Sequence, residues 1–425
     1  IINEFDIDVS KKSNIKYNNL EDLYTYSIDN KNISYSLYKE GTIYNLFIHL
    51  PNINEIDSIN DIHKQVKFLH RDINFIKDNV SFFPDKLGNY LSFKQDQSNK
   101  AITLKYSIDE NYFEIININI FQSIIKVNKH FNCLEELKNY KSNELDNMIN
   151  LVDSIIIKYN NENNSQIIHL SKPNIKYNEK ITEFNYERCN KLEIFNLLLQ
   201  NFIIIYFKNT NIIYAEKLLF INNSIKNIDQ KNKNIFEMLD EDKKDEDNKE
   251  LIYQNKNKNI YYSQMKNKRK DIFNYIPLFE PLENYICLMN LNQLITEGNN
   301  EIENLDNMIY KINKTEKLIT KVENDYINLQ KIRYFNYLEE NSNNTYNVTI
   351  TKIKPYAIFF IHKKTLYEDS IHVSNLGGKR YTFNTNQNIL VSIDNDNKFE
   401  FGQEINLKID KIDIVKNEIK WFYSS

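Results

Sequence analysis

The strongest constraint in the sequence is a change of hydrophobic period near residue 345. In the charged segment 302–338 apolar residues recur at helical spacing, whereas beyond it they alternate in short runs. These runs predict strands at 346–353, 356–362, 370–374, 389–393 and 405–422, the last one interrupted near Asp413. Five short strands separated by turn residues such as Gly377 are typical of a small closed barrel of the OB type. The sequence therefore predicts an OB-fold domain over residues 345–425.

The first 340 residues mix strand and helix patterns and predict one larger α+β domain, a mixed sheet with surrounding helices. The alternating run 43–50 predicts a central strand that ends at Pro51, and 101–108 with 112–127 predicts a hairpin. A further short strand is expected just before Pro173. Helical spacing is found at 59–69, 134–159 and 192–206. The polar stretch 222–270 predicts an insertion or linker that is helical in part.

Composition excludes several classes of protein. The 425 residues, 41% hydrophobic, are enough for a large core, and the net charge of −4 means that a nucleic-acid surface would have to be local. Three dispersed cysteines argue against a disulfide framework and for a reducing intracellular compartment, either cytoplasm or an organelle. Apolar runs stay below the ~18 residues of a membrane span, so no membrane partner is expected. Because the chain begins at Ile1, upstream sequence is expected.

Five segments resemble, in order, the ribonuclease II and ribonuclease R (RNB) family of exoribonucleases. They read N-N-L-E-D-L-Y-T-Y-S-I-D, N-L-F-I-H-L-P-N-I, H-R-D-I-N-F-I with V-S-F-F-P-D-K-L, E-I-F-N-L-L-L-Q-N-F-I-I, and L-F-E-P-L-E-N-Y-I-C-L-M-N-L-N-Q-L. The last is similar to the family signature F-T-S-P-I-R-R-Y-x-D-L-x-x-H-R-x-L. The segment from Lys354 to Tyr381 resembles the RNA-binding domain of the ribosomal-protein S-one type. The resemblance implies an RNB domain over 1–340 followed by the OB domain.

The family degrades single-stranded RNA from its 3′ end with Mg²⁺ ions held by four aspartates. Paired Mg²⁺ ions need anionic oxygens to activate water and to stabilise the leaving group. In the family motif I-D-x-x-x-x-x-D-x-D-D-A-L, the first aspartate matches Asp29. With a two-residue deletion, the other three fall on Asn32, Ser34 and Tyr35.

The signature arginine, which in the family adds positive charge at the scissile phosphate, falls on Glu283 with Asn284 beside it. A carboxylate at this position repels phosphate. The resemblance therefore predicts that the catalytic set is not intact and that no cofactor is bound. Magnesium would be expected only if other acids, such as Asp57, Asp61 or Asp85, replaced the lost ones.

The RNA-binding residues implied by the resemblance are Phe75, Tyr356, Phe359, His372, Lys379 and Arg380. On an OB barrel, exposed aromatic rings stack on bases while cations contact phosphates. Adjacent strand residues point to opposite faces, so Phe359 and Phe360 cannot both face the barrel interior. His49, by contrast, is expected to be a structural histidine, and the basic run 266–270 a solvated tether.

The function predicted from the sequence is that of a pseudo-exoribonuclease, a protein that binds single-stranded RNA, not DNA, without cleaving it. One alternative is a structural subunit of a larger RNA–protein assembly, for example an organellar, ribosome-like particle. A third hypothesis is an active magnesium-dependent 3′–5′ exoribonuclease with a rearranged site. Measuring RNA shortening and RNA binding together separates the three.

Overall fold

The structure is a computed structural model, and it describes residues 16–28, 32–53, 69–75, 78–83, 85–131, 136, 140, 142–163, 165–168, 170–178, 180–188, 191–208, 212, 214–220, 250–253, 260–263, 272–296, 305–341, 344–377, 380–385, 387–393 and 398–424. The strands before residue 300 are β1 (Asn18–Asn19), β2 (Thr25–Ile28), β3 (Ser34–Glu40), β4 (Ile43–Pro51), β5 (Ile73–Asn74), β6 (Asn79–Val80), β7 (Ser98–Asp109), β8 (Ile115–Phe131), β9 (Ser165–Ile168), β10 (Leu170–Asn178), β11 (Lys180–Arg188), β12 (Ala215–Phe220), β13 (Glu250–Tyr253), β14 (Ile260–Ser263) and β15 (Ile272–Tyr275). The helices are α1 (Asp85–Leu91), α2 (Asn143–Asn163), α3 (Lys191–Lys208), α4 (Tyr285–Ile295) and α5 (Leu305–Asn341).

Five strands of the first region close into a barrel. Strand β8 pairs antiparallel with β7 along its first part and parallel with β2 near its end. Since β2, β3, β4 and β7 are also paired in that order, the ring β8-β2-β3-β4-β7 returns to β8. The mixed sheet expected from the sequence is thus confirmed, and it is closed.

The helices pack on the outside of this barrel. Leu46, Ile48 and Tyr106 belong to the same buried core as residues of α2, α3 and α4, and the Tyr106 hydroxyl lies 3.4 Å from the Leu199 carbonyl oxygen in α3. Because side chains alternate along a strand, the residues between these positions face the barrel interior.

The barrel interior contains a chain of hydrogen-bonded polar side chains, one from each strand. It consists of Thr25, Ser36, His49, Thr103 and Ser123, all fully buried. The successive distances are 2.7 Å between the first two hydroxyls, 2.9 Å to His49 Nε2, 2.8 Å from Nδ1 to the Thr103 hydroxyl, and 2.6 Å to Ser123. A buried polar group is costly unless it is hydrogen-bonded, and here each one has a partner.

The direction of this chain determines the tautomer of His49. The Thr25 hydroxyl donates to the Leu23 carbonyl, 3.0 Å away, so Ser36 must donate to Thr25 and His49 Nε2–H must donate to Ser36. Nδ1 then accepts from Thr103. Burial lowers the pKa of His49 to about 3, so the ring is neutral. His49 is structural, as expected from the sequence.

Some predicted elements are confirmed by the structure, and others differ from it. The hairpin expected at 101–127 is confirmed as β7 and β8. Of the helix predicted at 134–159, the structure describes α2 from Asn143 onward and one helical residue, Glu136. The short strand expected before Pro173 is β9. Pro173 itself lies in β10, a strand that was not predicted, whose pairing with β11 shifts register between Leu170 and Pro173.

Other predictions fall on residues outside those described. The helix predicted at 59–69 lies almost entirely in 54–68, and the basic run lies in 264–271. Within the stretch 222–270, expected to be helical in part, the described residues are instead strands: β13 pairs with β9, and β14 pairs with β12. Among the described helices, none is long and apolar enough to cross a membrane.

The C-terminal region forms a second barrel, and the α+β class with an OB-like barrel is confirmed. Its strands are β16 (Tyr346–Lys354), β17 (Ala357–His362), β18 (Tyr367–His372), β19 (Tyr381–Asn384), β20 (Ile389–Ser392), β21 (Lys398–Phe399), β22 (Glu404–Asp413) and β23 (Glu418–Tyr423). The order is β18-β17-β16-β22-β23 in one sheet and β19-β20-β21 in the other. The single interrupted strand expected at 405–422 is a hairpin, and two strands were not predicted.

Helix α5 joins the two regions. Its Phe335 is fully buried in the core of the second barrel, with its ring centroid 5.6 Å from that of Trp421. Phe360 packs in the same core, 5.4 Å from Trp421. The indole N–H of Trp421 donates to Asp369 at 2.9 Å. The helix therefore contributes a side chain to the OB core.

Candidate functional site

The resemblance assigns several positions to metal-binding aspartates, and the side chains at these positions point in different directions. Asn32 Oδ1 accepts a 2.8 Å hydrogen bond from the Ser92 hydroxyl. Ser34 is buried on the interior side of the barrel, and its hydroxyl has no partner among the described residues. Tyr35 faces outward, where its hydroxyl lies 2.8 Å from Asn196 Nδ2 of α3. Asp29 lies outside the described residues.

These side chains do not fit a magnesium site. Mg²⁺ requires converging, mostly anionic oxygens in octahedral geometry. Ser34 and Tyr35 are neutral and lie on opposite faces of one strand, and the Asn32 carbonyl oxygen already accepts a hydrogen bond. Over the described parts of the chain, no group of three or more His, Cys, Asp or Glu side chains could hold an ion. The expectation that no cofactor binds stays a prediction.

The signature segment containing Glu283 forms a turn that leads into α4. Its backbone pairs with the segment that begins at His70: the Tyr285 N–H donates to the His70 carbonyl at 2.8 Å, and the Asp72 N–H donates to the Glu283 carbonyl at 2.9 Å. Asn284 caps α4 by accepting from the Ile286 N–H at 2.9 Å. The two family segments thus lie side by side although about 210 residues separate them.

A buried arginine lies beside this turn, but two carboxylates of α5 neutralise it. Arg71 Nε donates to Glu316 at 2.8 Å, and its Nη1 donates to Glu323 at 2.7 Å. His70 Nε2 lies 2.8 Å from the same Glu316 carboxylate. Burial opposes the charged form, yet the hydrogen bonds that Arg71 donates to Glu323 and Glu316 outweigh it and raise the pKa of Arg71.

Hydrogen bonds shift the pKa of Glu316 in the opposite direction from that of Arg71. Burial acts to raise its pKa, but the hydrogen bonds from His70 and Arg71 hold the pKa well below its ordinary value. Glu316 is therefore a carboxylate, and Arg71 is committed to α5. The arginine supplies no uncompensated charge that could hold a scissile phosphate.

Phe75, a predicted RNA contact, packs against α5. It is half-buried, and its ring meets Tyr326 edge-on with 4.9 Å between centroids. The neighbouring Asn74 N–H donates to Glu323 at 2.8 Å. Asn74 and Phe75 therefore contact α5, the helix whose carboxylates also bind Arg71.

The second barrel, in contrast, presents aromatic and basic side chains on one outer face. Phe360 is fully buried and Phe359 faces outward, as the period of two requires. Phe359 pairs with Lys352 of β16 and Ser370 of β18, and His372 pairs with Ala357. Directly paired residues share a face, so Phe359 and His372 lie on the same side of the sheet.

Lys354 lies beside the two aromatic rings of this face, of which Tyr356 is exposed and Phe359 is half-buried. Its ammonium nitrogen lies 5.6 Å from the ring centroids of both Tyr356 and Phe359, and 3.1 Å from the Tyr356 hydroxyl. Tyr356 is 52% exposed. We call Lys352, Lys354, Tyr356, Phe359 and His372 the OB face.

The structure thus brings together three of the predicted RNA-binding residues: Tyr356, Phe359 and His372. Arg380 is exposed at the start of β19, where its carbonyl accepts from the Ile393 N–H, and Lys379 lies outside the described residues. The sequence-based prediction missed Lys352 and Lys354. Their alternation immediately before the turn at Pro355 was the available signal, because it places both lysines on one face of the strand that pairs with β17.

No protein-family model matches the chain, and no curated protein matches it. Among solved structures, RNase R of Mycoplasma genitalium in complex with ribose-methylated single-stranded RNA is similar with a TM-score of 0.75 at 14% identity. The match covers 96% of this chain and 72% of that one.

Two fungal structures are also similar. The Dss1 exoribonuclease of Candida glabrata, solved as an active-site mutant, has a TM-score of 0.71 at 11% identity, over 96% of this chain and 55% of that one. Yeast Ssd1, described as a pseudonuclease, has a TM-score of 0.66 at 12% identity, over 88% of this chain and 52% of that one. At such low identities the likeness establishes the architecture. This chain therefore has the fold of the ribonuclease II and ribonuclease R (RNB) family, followed by an OB-like barrel.

Proposed function

We propose that this protein binds single-stranded RNA and does not hydrolyse it. The observation that carries the proposal is that Asn32 and Tyr35, at positions where the family holds metal ions, are neutral and hydrogen-bonded to Ser92 and Asn196 of the fold. The structural neighbours support both parts of the proposal, RNA binding and the absence of hydrolysis. One is an RNase R with single-stranded RNA bound, and another is described as a pseudonuclease.

The charges at the family's catalytic positions make hydrolysis by the family mechanism very slow. Removing one preorganised contact to the charge that develops in a transition state commonly costs ~10²–10³ in rate. Here three of the described family positions, Asn32, Ser34 and Tyr35, hold neutral side chains, and a fourth, Glu283, holds a negative one. The nearest described guanidinium, that of Arg71, is bound to two carboxylates.

RNA binding is assigned to the OB face. Each base stacked on an aromatic side chain contributes about 1–3 kcal/mol, without strong sequence preference. Tyr356 and Phe359 offer two rings, and Lys354 places a cation between them. This combination suits unpaired nucleotides, whose ring faces are accessible.

The test is to incubate the protein with end-labelled single-stranded RNA and Mg²⁺ or Mn²⁺, and to follow shortening and gel shift in the same samples. We expect a shift without shortening. Stepwise shortening from the 3′ end would overturn the proposal in favour of an active exonuclease. Absence of both would favour the alternative, a structural subunit of an RNA–protein assembly.

A further inference from the structure

The most exposed side chains of α5 between residues 310 and 322 are four lysines, two aliphatic residues and one tyrosine. The exposed side chains of this segment are Tyr310, Lys311, Lys314, Lys317, Leu318, Lys321 and Val322. The protein as a whole has a net charge of −4, so this surface is opposite in sign to the average of the molecule. A local basic patch of this kind is what a nucleic-acid contact requires in an acidic protein.

The carboxylates of the same part of the helix are turned inward. The Glu316 side chain is 2% exposed and Glu323 is 16% exposed, and both bind Arg71. Between residues 310 and 323, the acidic side chains therefore face the protein and the lysines face solvent, whereas Asp306 and Asp325 are exposed beyond the two ends of this segment. The buried network removes the negative charges that would otherwise neutralise the lysines.

Four of the exposed residues form a straight line along the helix. Tyr310, Lys314, Lys317 and Lys321 follow the spacing i, i+4, i+7, i+11, which places them on one face over about 16 Å. We call these four residues the lysine stripe. Over the described parts of the chain, none of the three ammonium groups has an ion-pair partner. Tyr310, at the end of the stripe, is 70% exposed.

We propose that the lysine stripe binds the phosphate backbone of RNA, as a second contact surface apart from the OB face. This inference rests on the proposed function, since it assigns a further surface to the same ligand. Three cations in line can follow successive phosphates, and an exposed tyrosine at the end offers a stacking platform for a base. Lysine is depleted at protein–protein interfaces, and Leu318 and Val322 lie on the flank of the stripe, so a protein partner fits less well.

The experiment compares two triple variants that change the net charge equally. In the first, Lys314, Lys317 and Lys321 are changed to Gln. In the control, Lys176, Lys180 and Lys191 are changed to Gln; these exposed lysines are paired with Glu183, Glu340 and Asp153. Affinity for labelled single-stranded RNA is measured by fluorescence anisotropy at several salt concentrations. A thermal melt of each variant checks folding.

For the stripe variant we expect affinity to fall by at least about tenfold. The logarithmic slope of its salt dependence should be smaller by about 2, or roughly 0.7 for each phosphate that a lysine no longer neutralises. The control should keep the wild-type slope. Tyr310→Ala should weaken binding while leaving the slope unchanged, because stacking involves no counterion release.

The outcomes separate this inference from the proposed function. One outcome is that the wild type binds RNA, that the double variant Tyr356→Ala with Phe359→Ala binds weakly, and that the stripe variant binds like the wild type. That outcome overturns the inference about the lysine stripe and leaves the proposed function standing. Equal losses in the stripe and control variants would also overturn it, because they would reflect net charge alone. If the wild type does not bind RNA, both fail.

Discussion

The two barrels use their polar side chains in opposite ways. In the first barrel, the side chains at the family's catalytic positions bond to other residues of the fold, as Tyr35 does to Asn196 and Asn32 does to Ser92. In the second barrel, Tyr356 and Phe359 point outward with a lysine between them. The polar groups of the first barrel are thus used within the fold, whereas the OB face of the second barrel leaves Tyr356 exposed to solvent.

The largest expected effect tests whether the charges of the first region are structural. Changing Arg71 to Ala leaves Glu316 and Glu323 without their cation, and breaking a buried pair in this way commonly costs about 3–5 kcal/mol. We expect a loss of this size in the free energy of unfolding, measured with urea. The control is Arg333→Ala, which changes an exposed arginine of α5, the helix that carries Glu316 and Glu323. This variant should change stability by less than about 0.5 kcal/mol. Similar losses in both variants would show that Arg71 is not a structural link.

Two adjacent phenylalanines test the second barrel. Phe360→Ala opens a cavity in the core and should cost about 3–5 kcal/mol of unfolding free energy. Phe359→Ala removes an outward ring and should leave most of the stability while weakening RNA binding by about 1–3 kcal/mol. Urea unfolding and RNA-binding anisotropy of the two variants distinguish a role in the core from a role in RNA binding. A large loss of stability in Phe359→Ala would move that residue into the core.

One buried histidine in each barrel predicts a loss of stability in acid. Burial lowers the pKa of His49 to about 3, and burial with the charges of Lys364 and Lys331 lowers that of His362 to about 4. An unfolded histidine titrates near 6.5, so below this pH the unfolded chain binds protons that the folded chain excludes. Stability should therefore be constant above about pH 7 and fall as the pH decreases toward 4.

For His49 alone this linkage amounts to about 2 kcal/mol between pH 7 and pH 5. His49→Asn should reduce the pH dependence by that amount. The measurement is urea unfolding at both pH values. A pH-independent stability in the wild type would contradict the neutral, buried His49.

The smallest effect concerns two serines on the same strand and the same face. Ser34→Ala removes a buried hydroxyl that has no described partner, so it should be neutral or stabilising by up to about 1 kcal/mol. Ser36→Ala leaves the His49 Nε2–H without its acceptor and should cost about 1–3 kcal/mol. Thermal melts of the two variants suffice. The reverse order would show that Ser34 has a partner in the folded protein.

Local patterns predicted the elements better than the contacts between them. The alternation at 356–362 was enough to separate Phe359 from Phe360, because the two faces of a strand follow from backbone geometry. Strand β10 was not predicted because a register shift, which sequence does not reveal, admits Pro173 into a paired strand. Lys354 was missed because its place beside Phe359 depends on pairing between strands.

What the sequence alone determined is the order of most elements and the OB-like barrel, since these depend on residue types and on periods within short segments. What only the tertiary structure decided is where the remaining charges go. Arg71 and Glu316 are 245 residues apart and meet at 2.8 Å because α5 packs beside the segment 70–75. Burial then makes the pairing obligatory, since an unpaired charge in the interior would cost several kcal/mol. Lys314, Lys317 and Lys321 of the same helix face solvent.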